Sequence, residues 1–256
     1  EGQELKILGA IGEGKAPTSV PSAASCALEE ILRQGREMIQ WSSPKPQNGD
    51  WHIGRGVAII MQKSGIPDID QANCMIKLES DGTFIVHSGG ADIGTGLDTV
   101  VTKLAAEVLH CPPQDVHVIS GDTDHALFDK GAYASSGTCF SGNAARLAAE
   151  NLREKILFHG AQILGEPVAD VQLATPGVVR GKKGEVSFGE IAHKGETGTG
   201  FGSLVGTGSY ITPDFAFPYG ANFAEVAVNT RTGEIRLDKF YALLDCGTPV
   251  NPELAL

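Results

Sequence analysis

Two short stretches place residues that could hold an anion directly ahead of helical segments. The first, "HSGGADIGTG" from His87 to Gly96, sets Gly89, Gly90, Gly94 and Gly96 between an apolar run and an amphipathic one. Glycines remove the Cβ atoms that would fend off a ligand, and a helix starting there offers unsatisfied N–H groups at the positive end of its dipole. Such a helix start binds an anion without lysine or arginine. The second stretch, "KGAYASSGTCFSGNAA" from Lys130 to Ala145, repeats the chemistry with Ser135, Ser136 and Thr138 opening a segment of small residues. Neither is specific alone. The dinucleotide fingerprint fails because Thr99 stands where its third glycine belongs, and no GK[ST] follows. A tight turn explains the first stretch as well as a ligand does, and a serine N-cap with close helix packing explains the second. Two such junctions in one chain point to an extended ligand with more than one anionic group.

The elements that must position these junctions can be read from periodicity. "SAASCALEEILRQGREMIQW" has helical spacing with Ser22 or Ser25 as its cap, and "SSPKPQNGD" after it is a polar hinge. "GRGVAIIMQKSG", "NCMIKLES" and "TFIVHS" read as strands, the last two joined as a hairpin by "SDG". The helix after the glycine loop carries a stripe of Leu97, Val101, Leu104, Ala105 and Val108, Pro112 and Pro113 end it, and "DVHVIS" resumes as a strand. A long helix over about residues 136–164 follows, its small-residue half suited to a buried, closely packed position. A short helix at "SFGEIAHKG" and the strands "GTGSYIT", "NFAEVAVN" and "EIRLDKFYALLD" complete the chain, the last two joined by the turn "NTRTGE". The expected class is α+β, with mixed sheets and packed helices.

Composition narrows the partners. The 256 residues carry 33 glycines and a formal net charge of −11. That charge opposes binding to nucleic acid or an anionic membrane, though small anions can still bind through backbone amides. No apolar run reaches the roughly 20 residues that span a bilayer. Five scattered cysteines lack CxxC pairs, and the seven histidines form no HxH or HxxxH pair, so no protein-ligated metal is expected and a reducing, cytoplasmic compartment is. Glu107 and Glu225 read as a solvated and a structural glutamate, and Cys139 as a buried thiol. The beginning "EGQELKILGAIGEGK" and the end "NPELAL" look like cuts through a longer protein.

The motifs "GTFIVHSGGADIGTGLDTV", "VHVISGDTD", "GAYASSGTCFSGNAA" and "LLDCGTPVNPELA" occur in that order, and together they resemble the molybdenum-binding subunit of the xanthine oxidase family of molybdenum hydroxylases. The third is most similar to the bacterial purine hydroxylase branch. The resemblance covers nearly the whole chain and implies the fold of a molybdopterin-binding domain. It implies an arm and linker helix over residues 1–50 and a cofactor-binding portion over 51–256. Gly94, Thr95 and Gly96 match the family's glycine–glutamine–glycine loop, with Thr95 in place of the glutamine that contacts the metal side of the cofactor. Ser135, Ser136, Gly137 and Thr138 match the helix start that holds the cofactor's phosphate or dinucleotide portion, and Asp122 and Thr123 lie on the loop leading there.

The resemblance further implies molybdopterin, as the cytosine dinucleotide, carrying molybdenum. Iron–sulfur and FAD groups are expected on other domains or subunits of an oligomeric protein. The implied reaction is hydroxylation of a purine or other N-heterocycle of the xanthine or hypoxanthine type, with water as oxygen source. No residue of this chain is catalytic on that reading, because the family's glutamate base lies beyond Leu256, and the 256 residues alone are expected to be inactive. The rival expectation, favoured by Thr95, is a non-catalytic binding or assembly module that keeps the fold without the cofactor.

Overall fold

The computed structural model describes residues 25–45, 47–197, 200–212, 214 and 216–255. In chain order the elements are α1 (Leu28–Met38), β1 (Trp51–Met61), β2 (Ala72–Leu78), β3 (Phe84–Ser88), α2 (Leu97–Leu109), β4 (Val116–Ser120), α3 (Gly137–Leu164), β5 (Gln172–Ala174), β6 (Val178–Arg180), β7 (Glu185–Ser187), α4 (Phe188–Glu196), β8 (Val205–Tyr210), β9 (Tyr219–Asn229) and β10 (Ile235–Asp245). The described residues form two compact units, one from those up to residue 64 and from residue 216 onward, the other from those between 65 and 214. The α+β expectation holds: the described residues form three sheets, ordered β1-β9-β10, β4-β3-β2-β8 and β5-β6-β7, and four α-helices.

The 65–214 unit is built on strict alternation. In β2 the side chains of Ala72, Cys74, Ile76 and Leu78 are buried while those between are half-exposed, and in β3 Phe84, Val86 and Ser88 follow suit. One face of this sheet therefore meets the helices. β2 and β3 pair as the expected hairpin, with Asp81 accepting the Thr83 N–H and hydroxyl and Gly82 at φ 92°. β3 and β4 run parallel, so α2 is the crossover that the strand, glycine loop, helix, strand order required. Its buried face is rotated from the expected stripe: Leu97, Val101, Ala105, Ala106 and Leu109 are buried, whereas Leu104 and Val108 are half-exposed. Leu104 still packs on α3, its Cδ1 lying 3.1 Å from where a Cβ on Gly142 would be. Glu107 is exposed.

Helix α3 runs through the core, burying Ala144, Ala145, Ala148, Ala149, Leu152 and Ile156. Strand β8 meets it through glycine, since a Cβ on Gly206 would lie 2.2 Å from the Ala148 carbonyl oxygen and one on Gly208 2.3 Å from that of Ala144. Helix backbone and strand backbone are in direct contact. Helix α4 begins with a capping box, Ser187 and Glu190 each accepting the other's backbone N–H.

In the other unit three antiparallel strands of 11 residues each form one sheet, with α1 over β9 and β10. Ile31 and Ile39 pack there against Ala221 and Phe223. The cap of α1 is Ala27, without a side-chain bond, rather than Ser25; Ser22 lies outside the described residues. The Ala27 N–H is donated instead to the Asp245 carboxylate at 3.0 Å, which fixes the helix start on β10. Glu225 is buried with Arg55 at 2.6 Å and Lys239 at 3.2 Å, and the Arg55 guanidinium also donates to the carbonyls of Gln40 and Ser43. Arg55 first, then Lys239, holds the Glu225 carboxyl below its ordinary range against the effect of burial. That pairing accounts for a glutamate inside a strand.

Gly35 sets the height of α1 above the sheet, because a Cβ there would sit 2.0 Å from Cε2 of the Phe223 ring. Gly35→Ala is expected to cost about 1–3 kcal/mol through overpacking, despite its gain in helix propensity. Chemical denaturation of the two proteins side by side checks this; a stabilised variant would mean that α1 does not sit this close.

Candidate functional site

The structure brings the two glycine–helix junctions together in the 65–214 unit. A Cβ on Gly90 would fall 2.8 Å from both Leu97 Cδ2 and Ser141 Oγ, and one on Gly137 3.6 Å from Leu97 Cδ1. Leu97, the first residue of α2, is thus wedged between the first glycine loop and the start of α3. Gly89 backs onto the Leu127 carbonyl and Asp129, while Gly121 faces Ala91 at 3.9 Å. The segment from Gly121 to Gly131 therefore follows the first loop and delivers the chain to α3. Asp129 ties it down by accepting the Ser141 hydroxyl at 2.9 Å and the Gly131 N–H at 2.7 Å.

The two helix starts differ in what occupies them. At α2 the carboxylate of Asp92 accepts the N–H groups of Gly94 at 2.9 Å, Gly96 at 3.1 Å and Asp98 at 3.3 Å. The Gly94 N–H, with those of Asp98 and Gly96, holds this carboxyl below its usual range. Gly94 and Gly96 adopt φ of 97° and 79° with open space around both, so their glycines serve the left-handed turn that folds the loop around Asp92. Thr95 is exposed at the tip of that turn. The sequence reading of this loop as a free anion cradle omitted Asp92. The signal lay in an aspartate two residues ahead of a glycine, the local pattern by which Asx side chains capture following backbone N–H groups.

At α3 the start stays open. Ser136 stands at the N-cap position, but its hydroxyl donates backwards to the carbonyls of Gly131 at 3.0 Å and Tyr133 at 2.9 Å, and no side chain caps the helix. The first turn holds no acidic residue. Its N–H groups are therefore without a side-chain acceptor among the described residues. Ala134 and Ser135 lead in at φ 52° and 56°, a left-handed pair costly for residues with a Cβ. The Gly65 N–H donates to the Ala134 carbonyl at 2.7 Å, and the Tyr133 hydroxyl donates to buried Asp70, whose other oxygen accepts the Ile66 N–H at 2.8 Å. The bond to Asp70, then burial, pushes the Tyr133 hydroxyl above its ordinary range. Thr138 is exposed and Gly137 half-exposed; Cys139 is half-buried, and burial pushes its thiol up.

Asp122 spends its carboxylate locally, on the Asp124 N–H and the His125 ring, both at 2.9 Å, which lowers its pKa; Thr123 beside it is exposed. Two buried atoms near the α2 start have no partner among the described residues, Asp98 Oδ1 and His87 Nδ1, although Ser120 donates to the other Asp98 oxygen at 3.1 Å.

The Asp92 interaction makes a pH prediction. A carboxyl with a folded pKa below its unfolded value adds stability above the unfolded pKa of about 4, and that stability is lost as pH falls through the folded pKa. Melting curves across that acid window should fall less steeply for Asp92→Ala than for the parent. Parallel curves would show that the N–H groups of Gly94 and Gly96 do not hold the carboxylate in solution.

The sequence pattern of the family described as molybdopterin cofactor-binding domain matches residues 34–256. The chain belongs to that family. Over all 256 residues it is 99% identical to the probable hypoxanthine oxidase XdhD of Escherichia coli K12, and it spans 27% of that relative's length. A putative xanthine dehydrogenase molybdenum-binding subunit, XdhA of the same organism, is 30% identical over 267 aligned positions, which take in 98% of this chain and 35% of the relative. Among solved structures, quinoline 2-oxidoreductase from Pseudomonas putida 86 superimposes with a TM-score of 0.70 at 24% identity, over 90% of this chain and 30% of that one. At that identity the likeness establishes the fold. Both junctions lie within the matched residues, and the geometry separates them into a filled helix start at α2 and an open one at α3.

Proposed function

We propose that these residues hold the molybdenum cofactor of a hydroxylase that oxidises a purine or other N-heterocycle of the hypoxanthine type, with water as oxygen source. The observation that carries the reading is the start of α3, uncapped and free of acid, in a chain of the molybdopterin cofactor-binding family. The name carried by the 99% identical relative supports the substrate class. Ser135, Ser136, Gly137 and Thr138 hold the cofactor's anionic end through first-turn N–H groups and hydroxyls. Gly94, Thr95 and Gly96 form the wall nearer the metal, and Asp122 and Thr123 flank the approach. When bound, the group supplies the redox chemistry, while this chain binds and orients it.

On the same reading residues 1–50 are an arm and linker helix and 51–256 the cofactor-binding portion. The cofactor is the cytosine dinucleotide form, electrons leave through iron–sulfur and FAD groups on other domains or subunits, and the whole is a cytoplasmic oligomer. Among the described residues no helix is long and apolar enough to cross a membrane. The 256 residues alone are inactive, and hypoxanthine hydroxylation by them alone would overturn that part.

A second reading, a module that keeps the fold without the cofactor, is favoured by Asp92, which spends the N–H groups at α2, and by Thr95 in the place of glutamine. Molybdenum and pterin analysis of a full-length polypeptide carrying this sequence, from cells supplied with molybdate, separates the two. Stoichiometric metal supports the hydroxylase. Its absence, under conditions that load a control hydroxylase, sinks it.

A further inference from the structure

We infer that the face of the β1-β9-β10 sheet turned away from α1 is a docking surface, and that its occupant is polypeptide outside these 256 residues in the longer chain. Side chains alternate along a strand, and α1 packs on Ala221 and Phe223, so the even-numbered rows of β9 face the other way. The register places Ile60 and Leu244 beside Gly220, Phe240 beside Ala224, Leu237 beside Val226 and Ile235 beside Val228. The paired charged residues of β10, Arg236, Lys239 and Asp245, all fall in the rows on the α1 side. Ile60 is 49% exposed, Phe240 54%, Leu237 59%, Leu244 68% and Ile235 70%.

With three strands about 4.8 Å apart and a rise of about 3.4 Å per residue, the face covers on the order of 500 Å². Asn222 and His52 are polar members of these rows, and an apolar patch approaching that size is among the largest that a monomer exposes and is often functional. Both outer strands are long, and β1 is largely apolar, an edge that natural proteins cover rather than leave bare.

The length of chain outside the structure decides among occupants. The chain spans 27% of its 99% identical relative, so most of that polypeptide is available to lie on this face. A tethered segment docks without the loss of translational freedom that a second copy would incur. The inference rests on packing and not on the cofactor reading.

The test uses a polypeptide of the relative's full length with Phe240→Cys, or Ala242→Cys as the milder change in the same face, and Thr232→Cys in the β9–β10 turn as the exposed reference. Maleimide labelling is read position by position by peptide mass spectrometry, which keeps the natural cysteines apart. The expected result is labelling at 240 or 242 at least about tenfold slower than at 232 and independent of protein concentration, as for a packed interior. Labelling within about threefold of residue 232 overturns the inference, and so does protection that disappears on dilution, which would make the occupant a second copy.

Discussion

Gly208→Ala is expected to lower the unfolding free energy of the 65–214 unit by about 3 kcal/mol or more, the upper end of what overpacking costs. The added methyl would lie 2.3 Å from the Ala144 carbonyl oxygen, 2.5 Å from the Ala148 amide nitrogen and 2.9 Å from the Leu147 Cβ. The first two are backbone atoms of α3, so no side-chain rotation relieves the overlap. The helix would have to move off the sheet, and the closely packed interior transmits that displacement to Leu152, Ile156 and Phe84. Thr207→Ala, on the exposed side of the same strand, should change stability by about 0.5 kcal/mol or less. Urea denaturation of the pair measures both. Near-equal effects would mean that β8 and α3 do not meet backbone to backbone.

This contact shows what the sequence could carry. The run of small residues in "SGTCFSGNAARLAAE" announces a helix made for close approach, and the glycines of "GTGSYIT" are its counterpart on the strand. Their partnership is invisible locally, because Ala148 and Gly206 meet only after the chain has passed through α4. The same limit explains the rotated face of α2: periodicity chose Leu104 and Val108 for their size, whereas the tertiary packing buries Ala106 and leaves those two half-exposed. Strands β5, β6 and β7 escaped the sequence reading because each has only three residues, separated by "TPG" and "GKKG", below the length at which alternation can be counted.

At the site, residue types were legible and allegiance was not. Glycine-rich stretches before two helices were visible as potential anion cradles, but a cradle's N–H groups can equally serve an acceptor from within the chain. Asp92 wins at α2 because it lies a few residues away in the same loop and reaches three N–H donors without a loss of translational freedom. Ser136 fails to win at α3 because its hydroxyl is engaged by the carbonyls of Gly131 and Tyr133. The second outcome depends on loop geometry that Asp129 and Asp70 impose from outside the motif, by holding Gly131 and Tyr133.

Copying the α2 arrangement onto α3 therefore gives the sharpest functional test. Gly137→Asp places a carboxylate in a first turn that has none, and position 137 can take it: a Cβ there meets Leu97 at 3.6 and 3.7 Å, ordinary contact, and its φ lies outside the left-handed range. The fold should gain, since an acidic side chain at a helix start contributes about 0.3–1 kcal/mol and replacing a helical glycine adds a similar amount. The cofactor should lose, because the new carboxylate competes for the same N–H groups and repels a phosphate. In the full-length polypeptide, molybdenum and pterin content are expected to fall at least about tenfold, the effect of 1.4 kcal/mol on an equilibrium, while the melting temperature holds or rises. Gly137→Asn matches the bulk without the charge and should retain most of the cofactor. Equal loss in both variants would assign the effect to space rather than to an anion site, and full retention in the Asp variant would remove the start of α3 from the cofactor altogether.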